Sequence, residues 1–492
     1  MSSTTTRERP QSTGRTRTQK LADFVVETPY EALPPEVIDT AKLLTLDSLI
    51  CGLAAGGAER TKLQHRVLER LGGNEDATVF GFGRRVPAAW AAAANAEIMN
   101  FLDADDTFYN ATHFAVFNVA AAIAEGQRLG AAGRAVIRAV ALGYEVNARL
   151  ELASRKIEVQ GDGLRWSAIQ GMGYAAFGTA ASAGAVAGLG RDTMRNAFGI
   201  CAWEAPTPTV AGAHSRLAFN SFKYANNAAA ARAGMLSALL AEAGYVGDHD
   251  VLDNSPGFLE AQGAVATDRE LLVEGLGEKW WILEAAVKYY PSCRYTHGPI
   301  DAIRELMQRE RLAPEELERI EVRMNPMAHG MKIFSAPLDA VPGDHRGPLS
   351  GQFNVPYVIA LAALGRTPGP GWYARENLED PAVRALAARV HLTLDPKLAD
   401  EAVRAVRDTR IGRFPKTRRS LTVWARGREH VFEGDYASGD PWSAETKPGW
   451  DRVRQKLHEF CEGIVPERTR TELADRVQAL ESLRNISRHL PL

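Results

Sequence analysis

From position 103 the chain reads Asp-Ala-Asp-Asp-Thr-Phe-Tyr-Asn-Ala-Thr-His, and from position 288 it reads Lys-Tyr-Tyr-Pro-Ser-Cys-Arg-Tyr-Thr-His. The first segment packs three carboxylates, a hydroxyl and the His113 imidazole into eleven residues. The second adds the Lys288 ammonium, the Arg294 guanidinium and the His297 imidazole. A site that binds a polycarboxylate and moves a proton beside it needs this mixture: cations neutralise substrate anions, and a group titrating near pH 7 handles the proton.

Asp103, Asp106 and Thr107 stand at i, i+3 and i+4, so they share one face if the preceding helix, read over Pro87–Leu102, runs that far. His113 precedes a helix read from about Ala115, where a developing negative charge on a substrate is favoured. Spacing alone equally allows Asp106 and Thr107 to cap helices and His113 to be a satisfied turn residue. Lys223, between Phe222 and Tyr224, is either a solvated surface charge or an ammonium held by aromatics at a cleft. Lys288 and Arg294 flank Pro291 and suit a carboxylate clamp, with ordinary salt bridges as the alternative. His297 reads as structural support, because it opens a helix from Pro299. Gly81-Phe-Gly-Arg-Arg lacks the spacing of a dinucleotide loop, and Asp344-His345 has no companion cluster for a metal. No nucleophile elbow and no phosphate loop occur.

The elements that position these residues fall into two kinds of text. From about Gln19 to Gly277 the chain is Ala- and Leu-rich with helical spacing, over Pro35–Ala54, Pro87–Leu102, Ala115–Leu129, Arg134–Leu152, Met172–Leu189, Arg191–Ala202 and Asn226–Ala243. Gly130, Gly190 and Gly244 each follow such a run, where a left-handed cap is wanted. From about Ala285 to Tyr436 the pattern is mixed. Alternating strands are read over Glu318–Met324, Val390–Leu394 and Ser420–Arg426, a hairpin turn at Arg426-Gly-Arg, and helices at Pro299–Glu310, Phe353–Leu364 and Asp380–Val390. Helical text resumes over Trp450–Ile464 and Arg468–Asn485. The expected fold is mainly α: a large all-helical domain over 20–284, an inserted smaller α+β lid domain over 285–440, and C-terminal helices over 441–492 that return to the first domain. Residues 1–19, Ser/Thr/Arg-rich and without an apolar residue after Met1, read as a disordered tail.

At 492 residues two domains are the prior, and a net charge of −2 with no basic block gives no reason to expect a nucleic-acid partner. The longest apolar stretches are too short, or too rich in Ala and Gly, to span a bilayer. Four scattered cysteines without ligand spacing read as reduced thiols in a cytoplasmic setting.

Several ordered motifs resemble the MmgE/PrpD family, which includes 2-methylcitrate dehydratase, cis-aconitate decarboxylase and iminodisuccinate epimerase. They are Leu21-Ala-Asp-Phe-Val, Leu43-Leu-Thr-Leu-Asp-Ser-Leu-Ile-Cys-Gly, Asp103–His113, Gly143-Tyr-Glu-Val, Phe177-Gly-Thr-Ala-Ala, Val287–His297 and Gly351-Gln-Phe-Asn-Val-Pro-Tyr. The resemblance implies a helical domain plus a lid, a homodimer, and no metal or organic cofactor. It also implies that Asp103, Thr107, His113, Lys223 and Lys288 line the pocket. Two departures stand out: Ile169-Gln170 occupies the register of a His-Pro pair, and Phe108 replaces a polar residue. Both make the expected pocket less polar.

The resulting expectation is a cofactor-independent lyase, a dehydratase or decarboxylase, acting on a small di- or tricarboxylate. In it His113 exchanges the proton, Asp103 orients or tunes His113, and Thr107 hydrogen-bonds substrate or His113. Lys223 and Lys288, with Arg294 as a further candidate, hold carboxylates. The alternatives are an epimerase using the same site and a catalytically degenerate binding homologue.

Overall fold

The computed structural model describes residues 14–109, 112–167, 171–207, 226–335, 351–414 and 418–490. Among them the chain is mainly α. Helix α1 spans Arg17–Glu27, α2 Pro35–Ala55, α3 Glu59–Leu71, α4 Ala88–Asn100, α5 Ala115–Leu129, α6 Gly133–Ala153, α7 Ala175–Ala187, α8 Arg191–Glu204 and α9 Asn227–Glu242. Helix α1 starts inside the stretch read as a tail: Thr16 caps it, accepting from the Gln19 N–H, while Arg17 and Thr18 bind Asp253.

The apolar runs become helices because their small side chains let backbones approach, and the buried faces are nearly continuous. Helix α4 packs on α5 and α9, and α7 packs on α5, α6 and α9. Gly143 shows why bulk is excluded: a Cβ there would lie 2.0 Å from Ser182 Oγ on α7. Gly130 closes α5 with φ +65°, as expected, but Gly190 does not close α7. Gly188 takes that left-handed position with φ +69°, and Gly190 instead begins α8. The signal is right in kind and displaced by two residues, because two glycines flanking Leu189 leave the stop ambiguous.

The second half carries a four-stranded sheet in the order Val390–Leu394, Leu317–Met324, Leu421–Ala425, Arg428–Phe432. The first pair is parallel and the others antiparallel. Arg426 and Gly427 both have positive φ, +54° and +68°, as a two-residue hairpin turn requires. The helices Arg294–Glu310 and Val355–Ala363 pack together beside the sheet. The helix Pro396–Asp408, like α3, falls in a stretch over which the sequence pattern names no element. The C-terminal helices Trp450–Cys461 and Glu467–Gln478 pack against α2. No helix among the described residues is long and apolar enough to cross a membrane.

Candidate active site

Helix α4 stops at Asn100, so the expected shared helical face of Asp103, Asp106 and Thr107 does not form. Asp103 instead adopts φ +55° in a turn, and Thr107–Phe108 becomes a short strand. The reason lies outside the segment. Thr107 and Phe108 pair antiparallel with Ala286 and Ala285, which draws the 103–113 turn against the stretch leading to Lys288. Phe108 and Thr112 also exchange backbone hydrogen bonds, folding the loop back before His113.

The turn then divides its carboxylates among separate tasks. Asp103 pairs with Lys288, Oδ2 to Nζ 3.4 Å, with both side chains buried. Asp105 reaches the imidazole, its Oδ2 lying 3.1 Å from His113 Nδ1, and it accepts from Asn100 Nδ2 on both oxygens at 3.1 and 3.0 Å. Asp106 receives the Ala115 N–H at 2.9 Å, the Phe114 N–H at 3.4 Å and the Tyr144 hydroxyl at 2.9 Å, which satisfies the start of α5. The capping alternative therefore describes Asp106, and the carboxylate on the imidazole is Asp105 where Asp103 had been expected. Burial, reinforced by the neighbouring Asp105 charge, pushes the Asp106 carboxyl up to about 7, against the effects of His113, the Ala115 N–H and Tyr144.

Several buried polar atoms around this cluster, Thr112 Oγ1 and Asp47 Oδ2 among them, make no hydrogen bond among the described residues, and two of them bear on a substrate. Lys288 Nζ and Thr107 Oγ1 have no hydrogen-bond partner among the described residues. Buried polar atoms are nearly always hydrogen-bonded, and each exception asks for an explanation. A hollow of about 390 Å³ opens between Ala54, Arg60, Phe101 and Leu102 on one side and Pro370 and Tyr373 on the other, and none of Lys288, Thr107 and His113 lines it.

Arg294 is also buried, but its guanidinium is committed: it pairs with Asp440 and donates to the carbonyls of Val287 at 3.1 Å and Ser438 at 3.3 Å. A substrate carboxylate would have to compete with that ion pair. His297 sits fully buried with Nε2 3.2 Å from Ser292 O, and burial, with Arg294 and Lys288 adding to it, holds its imidazole well below the usual range. It is neutral at pH 7 and supports the start of its helix. The Phe108 ring is packed among Phe114, Tyr144 and Trp281, with centroids 5.5, 6.3 and 6.5 Å away. Lys223, Ile169-Gln170 and Asp344-His345 lie outside the described residues.

Three contributors escaped the sequence reading. Asn100 was counted as one more residue of a helix. Asp47 stands in the Leu43–Gly52 motif with no role of its own, although a lone carboxylate between Leu46 and Ser48 in an apolar run is an available signal. Lys456 gave none, being one cation among several on a C-terminal helix. In the structure Lys456 Nζ lies 2.5 Å from Asp47 Oδ1 and donates to Ala104 O at 2.6 Å, all fully buried.

The chain is 26% identical to cis-aconitate decarboxylase of Aspergillus terreus over 396 residues, 76% of this chain and 77% of that protein. It is 26% identical to the Homo sapiens cis-aconitate decarboxylase, covering 74% of each chain, and 27% identical to the Mus musculus one, covering 77% of this chain and 76% of that protein. The MmgE/PrpD N-terminal domain matches residues 19–267 and the MmgE/PrpD C-terminal domain residues 290–481, so the chain belongs to the MmgE/PrpD family.

Proposed function

We propose that this protein is a carboxy-lyase that decarboxylates a small unsaturated di- or tricarboxylate, with cis-aconitate the first substrate to test. The observation that carries the reading is two buried groups that make no hydrogen bond among the described residues, Lys288 Nζ and Thr107 Oγ1, on segments joined to the turn where Asp105 meets the His113 imidazole. A buried ammonium and hydroxyl brought to the turn that carries the imidazole suit a carboxylated substrate, and the cis-aconitate decarboxylases among the relatives support the same chemistry by their names.

In this mechanism Lys288 neutralises a substrate carboxylate, Lys223 does the same where the family's second lysine falls, and Thr107 donates a hydrogen bond. The carbon–carboxylate bond breaks and carbon dioxide leaves. Its electron pair stays on the substrate carbon, delocalised toward a neighbouring carboxylate and stabilised by the cations. The His113 imidazolium, held through Nδ1 by Asp105, delivers a proton to that carbon and is reprotonated from solvent. Asp103 pairs with Lys288 and holds its ammonium in place. Arg294 orders the backbone around Val287.

The test is turnover of a panel of di- and tricarboxylates in deuterated water. Carbon dioxide release with one solvent deuterium in the product is expected. Loss of water with retention of all carboxylates would make the protein a dehydratase, and label with inversion and no carbon dioxide would make it an epimerase. Carboxylate binding without turnover would make it a degenerate homologue.

A further inference from the structure

We propose that Lys456, with Asp47, is a positioning residue for the reaction: one buried ammonium from the C-terminal helix fixes both working carboxylates and sets the charge behind His113. The inference rests on the reading of His113 as the proton-transfer group. Its geometric basis is a single backbone atom. Lys456 Nζ donates to Ala104 O at 2.6 Å, and Ala104 is the residue between Asp103 and Asp105. Asp103 goes one way, to Lys288, and Asp105 the other, to His113. The carbonyl between them is thus the pivot from which both side chains are aimed. Asp103 holds a left-handed backbone, φ +55°, which a non-glycine residue keeps only where its surroundings enforce it.

A wholly structural account of the Lys456–Asp47 pair is weak on physical grounds. Replacing a buried ion pair with neutral residues of like shape is often neutral or stabilising, so stability alone does not explain placing two charges there. Their location does. The titratable groups facing the pair are Cys51 from α2, Asp105 from the turn, Lys288 and Tyr289 from the stretch after the short ladder, and Cys461 on the Lys456 helix, while Asp105 and Asp106 face His113 itself. Burial pushes the Asp47 carboxyl up to about 6, with Lys456 opposing it and Asp105 adding to it. Asp47 and Asp105 therefore sense one another, with Lys456 between.

The roles separate by sign. Losing the Lys456 charge leaves the turn more negative and favours imidazolium at His113, and losing the Asp47 charge does the opposite. Three variants of the full chain test this: K456M, D47N and the double variant D47N/K456M. The readout is the NMR titration of the His113 ring, assigned by its absence in H113A, alongside kcat, KM and the acidic limb of the kcat/KM profile. The His113 midpoint should move up in K456M and down in D47N, each by about half a pH unit or more, and return to the wild-type value in the double variant. K456M and the double variant should both lose roughly 10- to 100-fold in kcat with KM little changed, because both lose the Ala104 anchor. Should K456M fail to fold, D47N and the neutral double variant still carry the sign test and the anchor test. Midpoints that stay put, or move in the same direction in both single variants, would overturn the proposal and leave only a structural pair. The titration needs no substrate, so failure of every carboxylate to turn over would count against the decarboxylase reading without touching this one.

Discussion

His113 and Asp105 meet across a turn: Nδ1 of the imidazole lies 3.1 Å from the carboxylate Oδ2, and that carboxylate is itself gripped at both oxygens by Asn100. A carboxylate on Nδ1 fixes the ring orientation and stabilises the imidazolium, and the proposed mechanism leaves Nε2 to work on substrate. The expected outcome for His113→Ala is a loss of about 10²–10⁴-fold in kcat with the fold kept. For Asp105→Asn it is a loss of roughly 10–10³-fold with a modest change in KM. Steady-state kinetics with a circular-dichroism melt on each variant checks this. A folded His113→Ala enzyme of near-wild-type activity would take His113 out of the mechanism.

Lys288 has Asp103 at 3.4 Å and no directed hydrogen bond among the described residues. Lys288→Met should therefore raise KM for a polycarboxylate and lower kcat if charge develops on the substrate. A polycarboxylate inhibitor should raise the melting temperature of the wild type, and do so much less for Lys288→Met or for Lys223→Ala/Lys288→Met. Equal protection of all three proteins would sink the carboxylate clamp.

Asp106 gives a pH prediction. Its carboxyl is pushed up to about 7 in the folded protein by burial and by Asp105. Unfolded, it would titrate near the ordinary value of about 3.9. Between those values the folded state binds the extra proton, so this group's contribution to stability is full below pH 4 and is lost as pH rises through about 7. Asp106→Asn removes that dependence. The wild type should lose roughly 2–4 kcal/mol more than the variant between pH 4 and pH 8. Urea melts across that range measure the two slopes, and parallel slopes would refute the assignment. Asp47 and Glu145, pushed up to about 6 and about 7 by burial, act with the same sign and remain in the variant.

Gly439 tests the backbone that carries Lys288. It has φ +89°, its carbonyl accepts the Val287 N–H at 3.0 Å, and a Cβ there would lie 1.9 Å from Val287 O. Gly439→Ala should cost about 2–4 kcal/mol and raise KM by moving the residue beside Lys288. A variant within about 0.5 kcal/mol of wild type and with unchanged KM would show that Lys288 is placed by other contacts.

The sequence by itself determined the elements and the chemistry on offer. Long runs such as Ala115–Leu129 are helices because their apolar positions recur with the helical period, and Val390–Leu394 is a strand at the residues where alternation placed it. The Asp103–His113 and Lys288–His297 segments were legible as one site's worth of acid, base and cation, and the ordered motifs carried the family. Only the tertiary structure decided which group serves which. The face predicted for Asp103, Asp106 and Thr107 assumed that local helix spacing continues. A ladder to Ala285–Ala286 replaced it with a turn, so Asp105 went to His113, Asp103 to Lys288 and Asp106 to the start of α5. Arg294 looked like a clamp because its distant partner Asp440 leaves no trace in local spacing. Lys456 was silent for the same reason: its meaning comes from Ala104 and Asp47, contacts set by how the C-terminal helix packs against α2. Periodicity reports forces acting along the chain, whereas the pairing of buried charges is fixed by packing between segments far apart in sequence.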